Sequence, residues 1–271
     1  MQHEAIDGLV VRVRGAGDHD RYLSVLTAEQ GRITVLSKGS KSMKQGQMAV
    51  SQMYTYANFE FYRRSGIRIL KGGAPIRSFY ALSSDIDRLN LAAYLCDVAC
   101  ELTDEGEPAE EMLRLMLNSL YAISENLYPQ ELIKGAFEMR AAVLSGYAPA
   151  LEECVFCGAR TGDLYLDVMN GALLCAACLN KRGKSAHTTS AYDEIREADV
   201  ICPLSDASSA AIRYVASAPL SRLFAFELSD ADDLHAFSVC AETYLLSHIG
   251  HGFETLHFYH TMREPIKGTK Q

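Results

Sequence analysis

Four of the eight cysteines are set apart by their spacing. Cys154-Val-Phe-Cys157 and Cys175-Ala-Ala-Cys178 are two C-x2-C pairs with 17 residues between them. Two intervening residues let both thiols of a pair face one tetrahedral ion about 2.3 Å away, and two such pairs complete a four-thiolate zinc site. Gly158 gives the first knuckle room to turn. Between the pairs, Leu164–Val168 and Ala172–Leu174 flank Asn170-Gly171, a two-residue hairpin signal that brings the second pair back to the first. The expected module is a zinc ribbon with one structural Zn2+, because four thiolates leave no coordination position for a reacting water. Arg160 is the one basic residue between positions 150 and 178, so the ribbon is not expected to grip phosphate. Cys96, Cys100, Cys202 and Cys240 read as reduced core hydrophobes.

A second constellation lies near the N-terminus. Lys38, Lys41 and Lys44 recur every third residue in a Gly/Ser/Lys loop, and Arg63, Arg64, Arg68 and Lys71 follow a run rich in aromatic residues. That run, Met53–Tyr62, carries Tyr54, Tyr56, Phe59, Phe61 and Tyr62. Cations beside flat rings suit a single nucleic-acid strand: the charges neutralise phosphates and any base can stack on a ring. Some of these rings must also serve the core. Residues 1–80 hold 12 Lys+Arg against 6 Asp+Glu, net +6; the remainder holds 14 against 28, net −14. The overall charge of −8 therefore hides a basic N-terminal piece on an acidic remainder.

Catalytic patterns are missing. Gly183-Lys184-Ser185 resembles the end of a phosphate-binding loop, but Cys178 stands where its first glycine should be. There is no G-x-S-x-G, H-E-x-x-H or G-x-G-x-x-G. His248, His251, His257 and His260 cluster, but Gly250 and Gly252 end the helix that would align the first two. A protein that binds rather than catalyses is expected.

The elements that position these groups follow from periodicity. Runs at Gly8–Arg14, Arg21–Thr27, Arg32–Ser37, Met53–Tyr62 and Ile67–Leu70 alternate with period two. The first is expected to place Leu9, Val11 and Val13 on one face and Val10, Arg12 and Arg14 on the other. The alternation changes phase at Ala57-Asn58, which predicts a bulge. Five short bent strands fit a small closed barrel of the oligonucleotide-binding (OB) type. From residue 84 the period becomes helical, with helices predicted over 84–100, from Pro108, over 129–146, 205–217 and 230–250. The expected fold class is α+β multidomain: an OB barrel over 1–80, a helical domain over 81–150 and 181–271, and a zinc ribbon inserted at 151–180.

The composition, 271 residues with 48% apolar and 22% charged, is that of a globular protein. No apolar run reaches the roughly 18 residues of a membrane span, and the first residues carry no signal-peptide pattern. A soluble, cytoplasmic protein with no membrane partner is expected.

Three stretches resemble the RecO family of bacterial recombination and DNA-repair proteins. They are Val10 through Tyr22–Thr27, Gly31 and Lys38-Gly39; the run Phe137–Gly158, in which Ser-Gly-Tyr-Ala-Pro149 leads straight into the first knuckle; and the second cysteine pair after Asn170-Gly171. The resemblance implies a nucleoid-associated mediator that binds single- and double-stranded DNA and anneals complementary strands. It also implies help in loading RecA on DNA covered by single-strand-binding protein (SSB), within the RecFOR pathway. RecR and the acidic tail of SSB would be partners. Lys134 and Arg140, among the few cations of the helical part, are the candidates for holding that tail. The Glu254–His257 stretch is less basic than the family tends to be. A reading from another class is an adaptor whose ribbon and acidic helices hold protein partners while the barrel is scaffold; salt-sensitive DNA affinity separates the two.

Overall fold

The computed structural model describes residues 3–17, 20–39, 45–185 and 200–263. Its chain divides into two compact units, Met1–Leu127 with Gly252–Gln271, and Tyr128–His251.

The first unit opens with five strands: β1 (His3–Ala16), β2 (Asp20–Thr27), β3 (Gly31–Ser37), β4 (Thr55–Arg64) and β5 (Ile67–Ser78). They close into a barrel in the order β1-β2-β3-β5-β4, antiparallel throughout except where β3 runs parallel to β5 at Val35–Arg68 and Leu36–Ile69. The barrel is filled by Ile6, Val10, Leu23, Val25, Ile33, Val35, Phe59, Phe61 and Leu70. A short helix, α1 (Gln45–Val50), adds Val50 to this core; no strand or helix was expected there from the sequence.

The sidedness expected of β1 is corrected by a bulge. Register shifts between Val10 and Arg12, so Ile6 and Val10 face the core and Val13 returns to it, while Leu9 and Val11 are buried elsewhere. All three of Leu9–Val11 are buried because helices cover the outer wall of this strand. The bulge expected in the aromatic run is present, with a register shift between Tyr56 and Ala57 and a second between Glu60 and Phe61.

Helices α2 (Ile86–Glu101) and α3 (Glu110–Ser124) follow. Asp85 caps α2, its carboxylate accepting from the Asp87 and Arg88 N–H groups that the helix start leaves without partners. The loop between the helices laces onto the β2–β3 turn: Arg32 N–H donates to Asp104, Gly106 N–H to Gln30 and Ala109 N–H to Ala28. Gly31 sits in this contact at φ +61°, and a Cβ there would overlap the Asp104 carbonyl. The last helix of the chain, α8 (Glu254–Arg263), packs along α2 in the same unit.

The second unit pairs α4 (Gln130–Leu144) with α7 (Ala231–Ile249). Gly135 permits the crossing, since a Cβ would strike the Phe237 ring. Asp230 caps α7, and Gly250 ends it in the left-handed conformation at φ +85°. Helix α6 (Asp206–Ser217) completes the helical part. The hairpin β6 (Leu164–Asp167) and β7 (Ala172–Cys175) forms as expected around Asn170-Gly171 and leads into α5 (Ala176–Ser185). A third strand, β8 (Ile201–Leu204), pairs with β6 and was not anticipated. Among the described residues, no helix is long and apolar enough to cross a membrane.

Candidate metal centre and nucleic-acid interface

The hairpin delivers the cysteines to one point. Cys154 lies on a tight turn, closed by Gly158 N–H donating to the Cys154 carbonyl (2.9 Å), with Gly158 at φ +74°. Cys154 N–H donates to Ala159 (2.8 Å), and Val155 N–H ties the knuckle to Leu173 of β7 (3.0 Å). Cys175 ends β7 and Cys178 lies in the first turn of α5. The four Sγ atoms lie within 4.8 Å of one another, and Cys157 and Cys175 are 3.6 Å apart. A tetrahedral ion with 2.3 Å bonds to sulfur needs edges of about 3.8 Å, so these residues fit a four-thiolate metal. Burial works to raise the Cys154 thiol, yet backbone N–H groups of Cys175, Phe156 and Cys157 lower it to about 6. Donors aimed at a sulfur favour its thiolate, the form that ligates. The four cysteines could hold a metal ion, and among the described residues they are the one such cluster.

The module is anchored by α6. Arg213 Nε donates to the Leu151 carbonyl (2.6 Å), and Gly162 N–H donates to Asp206 (3.1 Å). Arg160 pairs with Glu153 at 3.0 Å, which leaves the ribbon without net basic character at that point. Val155 and Phe156, between the first two ligands, are exposed.

The barrel sorts the expected DNA contacts by whether a carboxylate already holds them. Arg63 Nε donates to Glu4 at 2.6 Å. Arg68 is buried; it pairs with Glu105, donates to Gln30 (2.8 Å) and faces Glu4 Oε2 at 3.9 Å. Lys71 approaches Glu60 at 3.8 Å. Arg64, at the β4–β5 tip, is exposed and makes no ion pair among the described residues. Tyr54 is only 8% exposed and sits in the wall at φ +60°, its N–H donating to Val10; burial raises its phenol, and it offers no face to a base. Tyr56 is half-buried, and burial raises it as well. Lys38 is exposed where β3 ends. Lys41 and Lys44 lie outside the described residues.

Beside Lys38 the structure places three residues that sequence reasoning passed over. Arg14 lies directly across from Tyr22, and Arg21 lies between Gly15 of β1 and Ser37 of β3. Arg14 and Arg21 are exposed and, like Lys38, make no ion pair among the described residues; Tyr22 is 39% exposed. The nearby Asp20 accepts from the Gly39 N–H (2.9 Å), which ties Gly39 to the start of β2. Arg14 and Tyr22 share one face of the β1–β2 ladder, while Arg21, the neighbour of Tyr22 in β2, faces the other way with Gly15 and Ser37; with Lys38 they place three exposed cations at one end of the barrel. The signal was present in the alternating run before and after the first hairpin, but it did not resemble a motif.

Lys134 and Arg140, the cations expected to hold an acidic tail, are buried and already bonded within the helical part. Lys134 is 1% exposed and pairs with Glu138 (3.0 Å) and Glu242 (2.5 Å). Burial works to lower it, but the two carboxylates hold it above its ordinary value. Arg140 is buried and donates to the Ala218 carbonyl. An incoming acidic tail would have to displace these bonds and leave buried charges unpaired.

Comparison with known proteins follows the same division. Residues 1–79 match the family model described as Recombination protein O N terminal, and residues 83–191 match Recombination protein O C terminal. The DNA repair protein RecO of Acetivibrio thermocellus is 27% identical over 267 residues, which cover 97% of this chain and 98% of that one. The DNA repair protein RecO of Listeria monocytogenes is 29% identical over 178 residues, or 66% of this chain and 69% of its own length. That of Halalkalibacterium halodurans is 27% identical over 181 residues, 67% of this chain and 70% of its own. With two models of one family in consecutive register and a relative aligned along nearly its whole length, this chain belongs to the RecO family.

Proposed function

We propose that this chain is a DNA-repair mediator that holds single strands on its barrel, anneals complementary strands and assists RecA loading on SSB-coated DNA together with RecR. The observation that carries the reading is the set of exposed cations, Arg14, Arg21 and Lys38, at the barrel end where Tyr22, paired with Arg14, is also exposed. Annealing requires no bond chemistry. A basic surface that neutralises phosphates lowers the repulsion between two strands and raises their local concentration. The guanidinium and ammonium groups act on the backbone, and Tyr22 offers a face to any base, so no sequence readout is needed. Double-stranded DNA would meet the same cations through its phosphates.

In this reading Cys154, Cys157, Cys175 and Cys178 hold one Zn2+. The ion supplies no reaction; it would tie the first knuckle to the hairpin, an interaction that contributes on the order of 10 kcal/mol in isolated zinc-finger peptides. The cysteines orient the knuckle, and Arg213 and Asp206 fix it to α6.

The test is anisotropy of a labelled single-stranded oligonucleotide titrated with the full chain at several salt concentrations. Neutralising about six phosphates gives a log–log slope of roughly −4. Absence of binding at low salt would overturn the proposal. It would favour the adaptor reading, for which exposed Val155 and Phe156 are the natural partner surface.

A further inference from the structure

Between strand β8 and helix α7 lies a cavity of about 450 Å³, lined by Cys202 and Pro203 of β8 and by Asp232, His235, Cys240 and Thr243 of α7. The four α7 residues share one face of that helix, turned toward β8. Two thiols from different elements meet in the cavity wall: the Cys240 thiol and the Thr243 hydroxyl both donate to the Cys202 sulfur. The Cys240 hydrogen bond, helped by that of Thr243, holds the Cys202 thiol below its ordinary value although burial opposes it. Cys240 donates and is 1% exposed, and its own thiol is pushed well up. One sulfur of the pair is thus prepared as a thiolate while the other keeps its proton. A second pair of core cysteines, Cys96 and Cys100, lies one turn apart on α2, and burial raises both. Burial alone therefore does not produce the arrangement at Cys202, and a cysteine that only fills core needs no hydroxyl aimed at its sulfur.

We propose that Cys202 and Cys240 form a peroxide-reactive dithiol, with Cys202 the attacking sulfur and Cys240 the resolving one. Hydrogen peroxide is little larger than water, which takes about 30 Å³ in the liquid, so the cavity admits it beside Cys202. The Cys202 thiolate attacks one peroxide oxygen and the O–O bond breaks. Cys202 becomes a sulfenic acid, and the departing hydroxide takes up the proton that Cys202 released, giving water. Cys240 then attacks the Cys202 sulfur. The S–O bond breaks, and hydroxide leaves with the Cys240 proton as a second water. Two thiols are oxidised to one disulfide while one peroxide is reduced to two waters. The new bond joins β8, the partner of β6 in the metal hairpin, to α7. The loop it closes contains α6, which also holds the hairpin through Arg213 and Asp206. Oxidation thus fastens the hairpin to the helical part by a link that depends on neither the metal nor the barrel cations.

The test exposes the folded full chain to hydrogen peroxide, unfolds it in N-ethylmaleimide to cap the remaining thiols, and maps tryptic peptides without reduction. The expected product is a disulfide between peptides 197–213 and 223–263, which carry Cys202 and Cys240 and separate on adding dithiothreitol. Peptide 89–114 should be alkylated at both Cys96 and Cys100. In Cys240→Ser the sulfenic acid has no resolving thiol, so dimedone should label Cys202; in Cys202→Ser it should not label Cys240. Adding Thr243→Val to Cys240→Ser should slow that labelling about two- to tenfold, because one donor to the thiolate is lost, and Thr243→Ser should restore it. Absence of the linked peptides at a peroxide dose that oxidises the ribbon cysteines would overturn the proposal. So would linking of Cys96 to Cys100 to the same extent, which would mark the oxidation as unselective. Dimedone on Cys240 as readily as on Cys202, or an unchanged rate in the Thr243→Val variant, would also overturn it. The peptide map needs no substitution, so a variant that fails to fold leaves it decisive.

Discussion

The two ends of the barrel carry similar numbers of cations and put them to different uses. At the β4–β5 end, Arg63 and Arg68 are held by Glu4, Glu105 and Gln30. At the β1–β2 end, Arg14, Arg21 and Lys38 are exposed and make no ion pair among the described residues, and Tyr22 lies across from Arg14. A positive residue contributes to a phosphate-binding surface only if its charge is not already spent, so counting lysines and arginines along the chain overstates one end and misses the other. Burial decides the rest. Arg68 is part of the barrel's construction, whereas Arg21 is available to a ligand.

This contrast can be broken by mutation. Arg68→Ala should have the largest effect, on stability: it removes a buried guanidinium that donates to Gln30 and pairs with the partly exposed Glu105, at a cost of about 1–3 kcal/mol. Its salt slope for DNA should stay unchanged at a temperature where the variant is folded, and a shallower slope would return Arg68 to the DNA surface. Arg14→Ala with Arg21→Ala and Lys38→Ala should do the reverse, leaving the denaturation midpoint near the parent's while reducing the salt slope by about 2. An unchanged slope would place the strand elsewhere. Tyr22→Ala should cost about 1–3 kcal/mol of single-strand affinity with the slope preserved, since stacking carries no counterion release. Quenching of a 2-aminopurine reporter in the oligonucleotide would confirm the contact. The smallest effect is expected from Glu4→Gln, which releases Arg63 and should steepen the slope by about 0.7; no change would mean that Arg63 cannot reach a phosphate even when freed.

The legible parts of the molecule were the local ones. Cys154 and Cys157, or Cys175 and Cys178, are set by two-residue spacing, and Asn170-Gly171 between them sets the return. Helix ends were legible for the same reason: Ser229 or Asp230 at one end and Gly250 at the other bound α7 by short-range backbone rules, and Asp230 is the cap. Ion pairing was not legible, because Arg63 meets a carboxylate 59 residues away and Arg68 one 37 residues away. Periodicity mistook the inner face of β1, since helices bury its outer wall and a bulge changes phase between Val10 and Arg12. Strand β8 was missed because Pro203 sits in it, and proline argues against a strand unless its missing N–H faces an edge. Lys134 read as a surface cation because nothing in its own helix announces that Glu242 lies beside it.

The lacing between the β2–β3 turn and the loop before α3 bears on how this unit opens. The amides of Arg32, Gly106 and Ala109 each bond across that junction, and Gly31 permits a backbone approach that no other residue tolerates. None of these bonds can be released alone without separating the two segments. Their amide hydrogens should therefore exchange with solvent at a common free energy and with a common response to denaturant, as one cooperative foldon. Any Gly31 substitution should lower the protection of all three together, even though Gly106 and Ala109 lie more than 70 residues further along the chain.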